Sequence, residues 1–289
     1  MPTHKEYSRK LTQLDNTRKM TRTMKLVAAN RLRKAFEAQK KAVEYGSRLS
    51  SMLQASWGGL SSPANPLLVE RKDAGRVLLL VVTSDRGLCG AFNNNLCRKA
   101  GVWAGEQKAS GRQVHLSFFG RRGTLLFKNH PEVRKCFAGD SGRPAFQDVR
   151  RIAVDLQAAF LSGQYDEVYL AYNAFLSALS QTPTILRLLP FQPELLTEES
   201  VQNENDLLFE PTRPDVIQAL LPKLVTLRLY TVLLSSAAGE HGARMTAMEN
   251  STTNADKLIE VFALRRNRAR QAAITRELTE IVAGAEALS

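Results

Sequence analysis

Proline is almost missing from both ends of this chain, and that absence says more than any motif. After Pro2 none occurs up to Trp57, a stretch in which Gly46 is also the only glycine, and none follows Pro222. Ala, Leu, Met, Lys, Arg, Gln and Glu, all good helix formers, fill these stretches. The pattern predicts two long helical tracts, over roughly residues 3–57 and 211–287, at opposite ends of the 289 residues. At ~1.5 Å per residue an unbroken tract of this kind is a rod of roughly 80 to 100 Å. Such a rod cannot bury its apolar stripe inside its own small domain. Two helices separated by a whole domain can pair only antiparallel.

Other absences exclude whole classes of function. Cys89, Cys97 and Cys136 are an odd number without CxxC spacing, which gives neither a disulfide framework nor a zinc site and reads as reduced thiols. The longest purely aliphatic run, Val77 to Val82, is far short of the ~20 residues of a membrane span. The start of the chain lacks the apolar stretch of a signal peptide, so a cytoplasmic protein is expected, with any membrane link made through a partner. There is no GxxxxGK[ST], and His4, His115, His130 and His241 form no metal-ligand spacing. No cofactor is expected.

What is present begins with charge. The net +12 is uneven: residues 1–57 hold thirteen Lys and Arg against four Asp and Glu. A basic helix suits nucleic acid, an acidic membrane surface or an acidic protein, although a solvated face reads the same way. No aromatic stacking platform, zinc spacing or helix-turn-helix signal accompanies the charge, which weakens the nucleic-acid reading. A basic coiled-coil nucleic-acid-binding protein stays as the alternative.

Hydrophobic spacing supports pairing of the ends. Met245, Met248, Thr252, Ala255, Ile259, Phe262, Arg266, Ala269 and Ala273 follow steps of three and four, and the seam then slips to Ile274, Leu278, Ile281 and Ala285. In the first tract Leu11, Leu14, Met20, Met24, Val27, Ala28, Leu32, Ala35, Phe36, Val43, Leu49 and Leu53 form a looser stripe. Two ordinary core-facing helices would show the same periodicity. If the ends pair, residues 27–36 are expected against 259–273.

The middle alternates strand and helix. Strands are expected over 76–84, 113–119, 167–171 and 183–189, and helices over 91–104 and 145–161. The sequence Ser84-Asp85-Arg86-Gly87-Leu88-Cys89-Gly90 joins the first strand to the first of these helices. It could cradle a phosphate or present Cys89 as a nucleophile in a small enzyme. It lacks the third glycine of a dinucleotide fingerprint, and no base partner for Cys89 is evident, so Gly87, Cys89 and Gly90 read as a structural turn.

Three blocks together resemble the gamma subunit of F-type ATP synthase. They are Asn16-Thr17, Lys19-Met20-Thr21 and Met24 to Ala29; Ser84 to Gly90 with Asn93; and Arg270-Gln271-Ala272 with Ile274 to Ala285. They run from end to end in the family's order, and the terminal block is the most specific. The resemblance implies an α+β fold: a long antiparallel coiled coil of the N- and C-terminal helices (1–57 and 211–289) with a central Rossmann-like α/β domain over 58–210.

It implies a non-catalytic central rotor shaft. Its partners would be the alpha and beta subunits of the catalytic hexamer, the epsilon subunit and the c-subunit ring, with membrane attachment only through that ring, on the cytoplasmic face of a bacterial plasma membrane. Met24, Lys25, Arg270, Gln271, Thr275, Glu277 and Thr279 match the family's contacts with beta. Phe209 and Glu210 fall in the block that meets the c ring and epsilon. Arg266 stands where relatives often carry an aromatic residue, and the cysteine-bearing insertion of the chloroplast form is absent.

Overall fold

The computed structural model describes residues 4–57, 65–71, 75–128, 130–192, 210 and 212–286. Helix α1 runs His4–Trp57 and helix α5 runs Arg213–Glu286, 54 and 74 residues long. By its contacts the chain divides into two compact units, Met1–Ala28 with Met245–Ser289, and Ala29–Arg244.

In the first unit α1 and α5 pair antiparallel. Tyr7 meets the Phe262 ring at 6.1 Å, Arg18 Nη1 lies 3.3 Å from Asp256, the Thr21 and Thr252 hydroxyls are 2.7 Å apart, and Lys25 Nζ donates to Glu249 at 2.6 Å. As the number rises on one helix it falls on the other. The pairing is antiparallel as expected from the two stripes, but the register differs by about two dozen residues. Residues 7–18, not 27–36, face the neighbourhood of 256–262.

The difference has a physical source. The α1 positions turned inward are Tyr7, Leu11, Leu14, Arg18, Thr21, Lys25 and Ala28, in alternating steps of four and three. Three of these seven are polar, while the large apolar Met20 and Val27 lie outside the seam, 63% and 48% exposed. A heptad seam is defined by its spacing, and close approach of two long helices favours small or mutually bonded side chains there. On α5 the expected seam holds, with Met248 and Ala255 buried and Thr252, Ile259, Phe262, Arg266, Ala269 and Ala273 half-buried. It stops at Ala273: every residue from 274 to 283 is exposed, because Tyr7 near the start of α1 has already reached Phe262. The seam expected to continue through Ile274, Leu278 and Ile281 therefore has no α1 partner among the described residues.

The second unit is built on a five-stranded sheet ordered β3-β2-β1-β4-β5. Its strands are β1 (Arg76–Val82), β2 (Gln113–Phe119), β3 (Val133–Phe137), β4 (Glu167–Phe175) and β5 (Gln181–Leu189). The first four are parallel; β5 is antiparallel to β4, from Val168 opposite Leu189 to Phe175 opposite Gln181. Central strand β1 is apolar from Val77 to Val82 because both its faces are covered there. Leu79 and Val81 pack with Leu96, Ala100 and Ala104 of α2 (Phe92–Ala109). Leu78, Leu80 and Val82 pack with Ile152 and Leu156 of α4 (Phe146–Leu161), with Leu49 and Leu53 of α1, and with Leu221, Leu224 and Val225 of α5. Within this unit the two long helices are thus core elements.

The sequence reading missed α3 (Arg121–Leu126) and β3, six and five residues long. Edge strand β3 is polar: Arg134 and Lys135 both pair with Asp155 at 2.5 Å, so no apolar alternation marks it. Strand β4 runs on to Phe175 and forms a hairpin with β5, which tolerates Pro183 because β5 is an edge. The α1 stripe is corrected here too. Ala35 packs with Ala237 and Ala238, whereas Phe36 turns aside onto Phe175 at 5.9 Å and Val43 is exposed.

The Thr21–Thr252 pair yields a test. Thr21→Val alone leaves the Thr252 hydroxyl only its bond to the Met248 carbonyl and is expected to cost about 1 kcal/mol, whereas the Thr21→Val/Thr252→Val double change is expected to be nearly neutral. Urea unfolding followed by helical circular dichroism measures both; equal losses would show that the two hydroxyls do not act as a pair.

Candidate functional site

The loop from β1 to α2 is shaped by backbone geometry. Leu88 takes a left-handed conformation (φ 63°), as does Gly90 (φ 60°). For a branched side chain that conformation is uncommon and costs of order 1 kcal/mol or more. Leu88 is also 61% exposed, so its apolar burial does not repay the strain. A Cβ on Gly87 would lie 2.6 Å from the Arg122 guanidinium, so Gly87 permits that arginine to lie across the turn. With Arg122, Leu125 and Leu126 of α3, the turn lines a cavity of about 340 Å³ at the carboxyl end of the sheet.

Cys89 is buried beneath this turn. Its sulfur lies 3.4 Å from the Asn93 amide, 3.7 Å from the Ser84 hydroxyl and 3.8 Å from the Arg86 carbonyl. Burial pushes its thiol up, against the smaller pull of the Ser84 hydrogen bond, and no histidine or carboxylate is bonded to it. A nucleophile needs a thiolate at neutral pH. The surroundings of Cys89 favour the opposite state.

Behind the turn lies a polar cluster that the sequence reading passed over. Glu240, His241 and Arg244 of α5 are all buried. Arg244 donates to the carbonyls of Arg86 and Gly87 at 3.3 Å and to Glu240 at 2.8 Å. Glu240 also lies 3.5 Å from the Ser141 hydroxyl, whose backbone N–H and hydroxyl bond the Asp85 carboxylate at 2.7 and 3.0 Å. The other Asp85 oxygen accepts from the Arg121 N–H. His241 Nε2 bonds the Gly142 carbonyl at 2.9 Å while Nδ1 faces Arg244, which fixes the neutral Nε2–H tautomer. Burial pushes this imidazole down to about 4, and Arg244 adds to the effect. The available signal was an i, i+4 acid–base pair closing an otherwise apolar helical stretch, a pattern more often found on solvated faces.

The residues expected to meet partners are placed as follows. Met24 is half-buried beside the seam, and Lys25 lies in it, bonded to Glu249. Arg270, Gln271, Thr275, Glu277 and Thr279 lie on the exposed end of α5, where Thr275 and Thr279 hydroxyls bond only the preceding helical turn. Apolar Ile274, Leu278 and Ile281 are interspersed with them, 45%, 58% and 68% exposed. Glu210 is exposed, and Phe209 lies outside the described residues. The structure thus gathers Arg270 to Thr279 on one stretch of helix, Met24 and Lys25 on another, and Gly87, Cys89 and Gly90 on a turn of the second unit.

A doubly wound sheet in a chain that begins and ends in long paired helices, with polar contacts along their seam, defines a mixed α/β protein with a two-helix coiled coil, an architecture that leaves function open. Comparison with known proteins narrows this. The family model described as ATP synthase matches residues 3–288. The ATP synthase gamma chain of Trichlorobacter lovleyi is 39% identical over 290 residues, covering 100% of this chain and 99% of its own. That of Geobacter sp. (strain M21) is 40% identical over 284 residues, covering 98% of each. A chain of the Euglena gracilis mitochondrial ATP synthase (OSCP/F1/c-ring, rotational state 3) superposes with a TM-score of 0.66 at 19% identity, over 99% of this chain and 94% of its own. A chain of the Tetrahymena thermophila central stalk/c-ring structure gives 0.58 at 23%, over 80% and 98%. At those identities the structures speak for the fold. The chain belongs to the ATP synthase gamma-chain family. The gamma subunit is a non-catalytic member of its complex.

The buried imidazole generates a pH prediction. Unfolded His241 takes up a proton below about 6.5, the folded residue only below about 4. The unfolded state therefore binds more protons in that window, and the histidine's contribution to stability falls as pH drops, by about 1.4 kcal/mol per unit at most. Urea unfolding at pH 7, 6, 5 and 4 is expected to show His241→Gln losing less stability than the natural chain over this range. Parallel pH profiles would contradict the buried neutral assignment.

Proposed function

We propose that this chain is the central rotor shaft of an F-type ATP synthase, coupling ion-driven rotation of the c ring to ATP synthesis or hydrolysis at the beta subunits. One observation carries the reading: the end of α5 leaves its helical partner at Ala273 and continues as an exposed helix with an apolar stripe, in a chain whose full length matches gamma chains. A lone helix with Ile274, Leu278 and Ile281 facing water gains stability only when another protein covers them. The alpha and beta subunits of the hexamer are the proposed cover. Arg270, Gln271, Thr275, Glu277 and Thr279 are the proposed polar contacts with beta, joined by Met24.

Lys25 takes a different part in this proposal. Its ammonium is committed to Glu249, so a contact with beta would have to share or break that pair. The exposed basic residues of α1, among them Arg9, Arg22, Arg33, Lys40 and Lys41, are better placed to attract acidic segments of a partner without deep pockets. A rod of uneven surface touches three chemically identical beta subunits differently in each orientation, and differential contact energy is what biases their nucleotide sites. Glu210 and Phe209 are proposed to meet the epsilon subunit and the c ring. The complex would sit peripherally on the cytoplasmic face of the plasma membrane, with protons as the transported ion.

The test is assembly. The purified chain alone is expected not to hydrolyse ATP, and its addition to alpha and beta subunits is expected to give a stable, steadily hydrolysing complex. Turnover by the chain alone would contradict the reading, as would failure to copurify with the two. Glu277→Lys reverses an exposed charge without touching core volume, so assembly is expected to be normal. A charged hydrogen-bonded contact is worth ~1.5 to 3 kcal/mol, so hydrolysis is expected to change about tenfold if that contact forms in only some orientations. Natural rates in the Glu277→Lys complex would remove this residue from the transmission path.

A further inference from the structure

Doubly wound sheets bind their ligands outside the carboxyl ends of the strands, where the strand order reverses. Here the reversal is at β1, flanked by β2 on one side and β4 on the other. The loops that would clamp a ligand at that edge are the β1–α2 turn (residues 83–91) and the β3–α4 loop (138–145). Their polar groups are engaged, but by the chain's own α5. Arg244 takes the Arg86 and Gly87 carbonyls, His241 takes the Gly142 carbonyl, and Glu240 lies beside Ser141, itself bonded to Asp85.

The fit is close where α5 meets the start of α2 and the β4–β5 hairpin. A Cβ on Gly239 would lie 3.3 Å from both the Phe92 ring and the Gln181 side chain, and one on Gly242 would lie 3.2 Å from the Ala178 carbonyl. These glycines let α5 approach the start of α2 and the β4–β5 hairpin more closely than a larger residue allows. Buried charged groups with partners in fixed geometry hold one orientation, whereas apolar packing alone permits sliding.

We propose that Glu240, His241 and Arg244 act as an internal ligand filling the crevice at the carboxyl end of the sheet, and that this filled crevice is the torsional joint between α5 and the α/β segment. The three are positioning residues: they fix the angle of α5 about its axis relative to the sheet. The role of the joint rests on the rotor reading above. The network itself does not: Arg244 holds the strained turn that displays Leu88, and α5 runs on from Arg244 to Glu286 as one helix.

The test uses the whole complex reconstituted in vesicles, with ATP hydrolysis and ATP-driven proton uptake measured side by side and hydrogen exchange read at residues 84 and 85, whose N–H groups bond Asn93 and Ser141. Arg244→Met is expected to raise exchange in the turn about tenfold. It is expected to lower protons moved per ATP about threefold while hydrolysis stays within about twofold. Where Arg244→Met does not assemble, His241→Leu makes the same test, and His241→Gln, which keeps a donor for the Gly142 carbonyl, is expected to restore both readouts. Unchanged exchange in the assembled variants would show that α5 does not hold the turn. Raised exchange with an unchanged pumping ratio would show that the crevice is not the joint. If the natural chain supports hydrolysis without any proton uptake, the rotor reading fails, and exchange at residues 84 and 85 still decides whether the three residues fill and hold the crevice.

Discussion

A helix needs something to bury its apolar stripe against, and in the Met1–Ala28 and Met245–Ser289 unit these helices of 54 and 74 residues bury theirs against each other. That mutual dependence sets the direction of pairing, since the domain between them makes a parallel arrangement topologically awkward and an antiparallel one natural. It also explains the dual character of both helices. In the Ala29–Arg244 unit they are half of a core, with Leu49, Leu53, Leu221 and Leu224 packed against β1. In the Met1–Ala28 and Met245–Ser289 unit they have only each other, and the seam changes accordingly to Thr21, Thr252, Ala28 and Ala255 with ion pairs alongside.

A seam of that composition contributes modest stability. The half-exposed pairs Arg18–Asp256 and Lys25–Glu249 are each worth about 0 to 1 kcal/mol, and the small side chains bury little area. What such pairs supply is register: a slip of one turn would move Thr252 off Thr21 to face Arg18 or Lys25 and break both bridges at once. Register fidelity with low packing energy would suit the proposed enclosure of the pair by other subunits, because the enclosing contacts could then add the stability the pair lacks.

Much of the fold was legible for reasons that can be named. Strand β1 reads as RVLLLVV because both its faces are covered, and α2, β2 and α4 follow from equally plain periodicities. The seam of α5 was legible because its buried positions are mostly apolar or small. The seam of α1 was not, because Arg18, Thr21, Lys25, Gln39 and Gly46 occupy inward positions while Met20, Val27, Phe36 and Val43 do not. Hydrophobicity and inwardness come apart wherever a seam is polar, and with the α1 register misread the pairing was misplaced as well. Edge strand β3 escaped for a related reason, since its Arg134 and Lys135 answer to Asp155 and not to a core.

The Glu240–His241–Arg244 cluster escaped for the opposite reason: charged residues at helical spacing are the ordinary mark of a wet surface, and nothing local says that these three are dry. Burying an arginine and a glutamate is costly unless nearly every donor and acceptor is met, and here the partners come from two loops far away in sequence. That expense is hard to explain as stability, because an apolar triplet would fill the same space more cheaply. It is easier to explain as direction. Backbone carbonyls of a strained turn can be held by a guanidinium in only one arrangement, so the angle between α5 and the sheet is fixed by bond geometry and not by the softer preference of packed methyl groups. A doubly wound fold ordinarily spends its carboxyl edge on recognising a small molecule. Filling the space between the β1–α2 turn and the β3–α4 loop from within leaves a rigid attachment there, which is what a mechanical element requires of a fold that elsewhere performs chemistry.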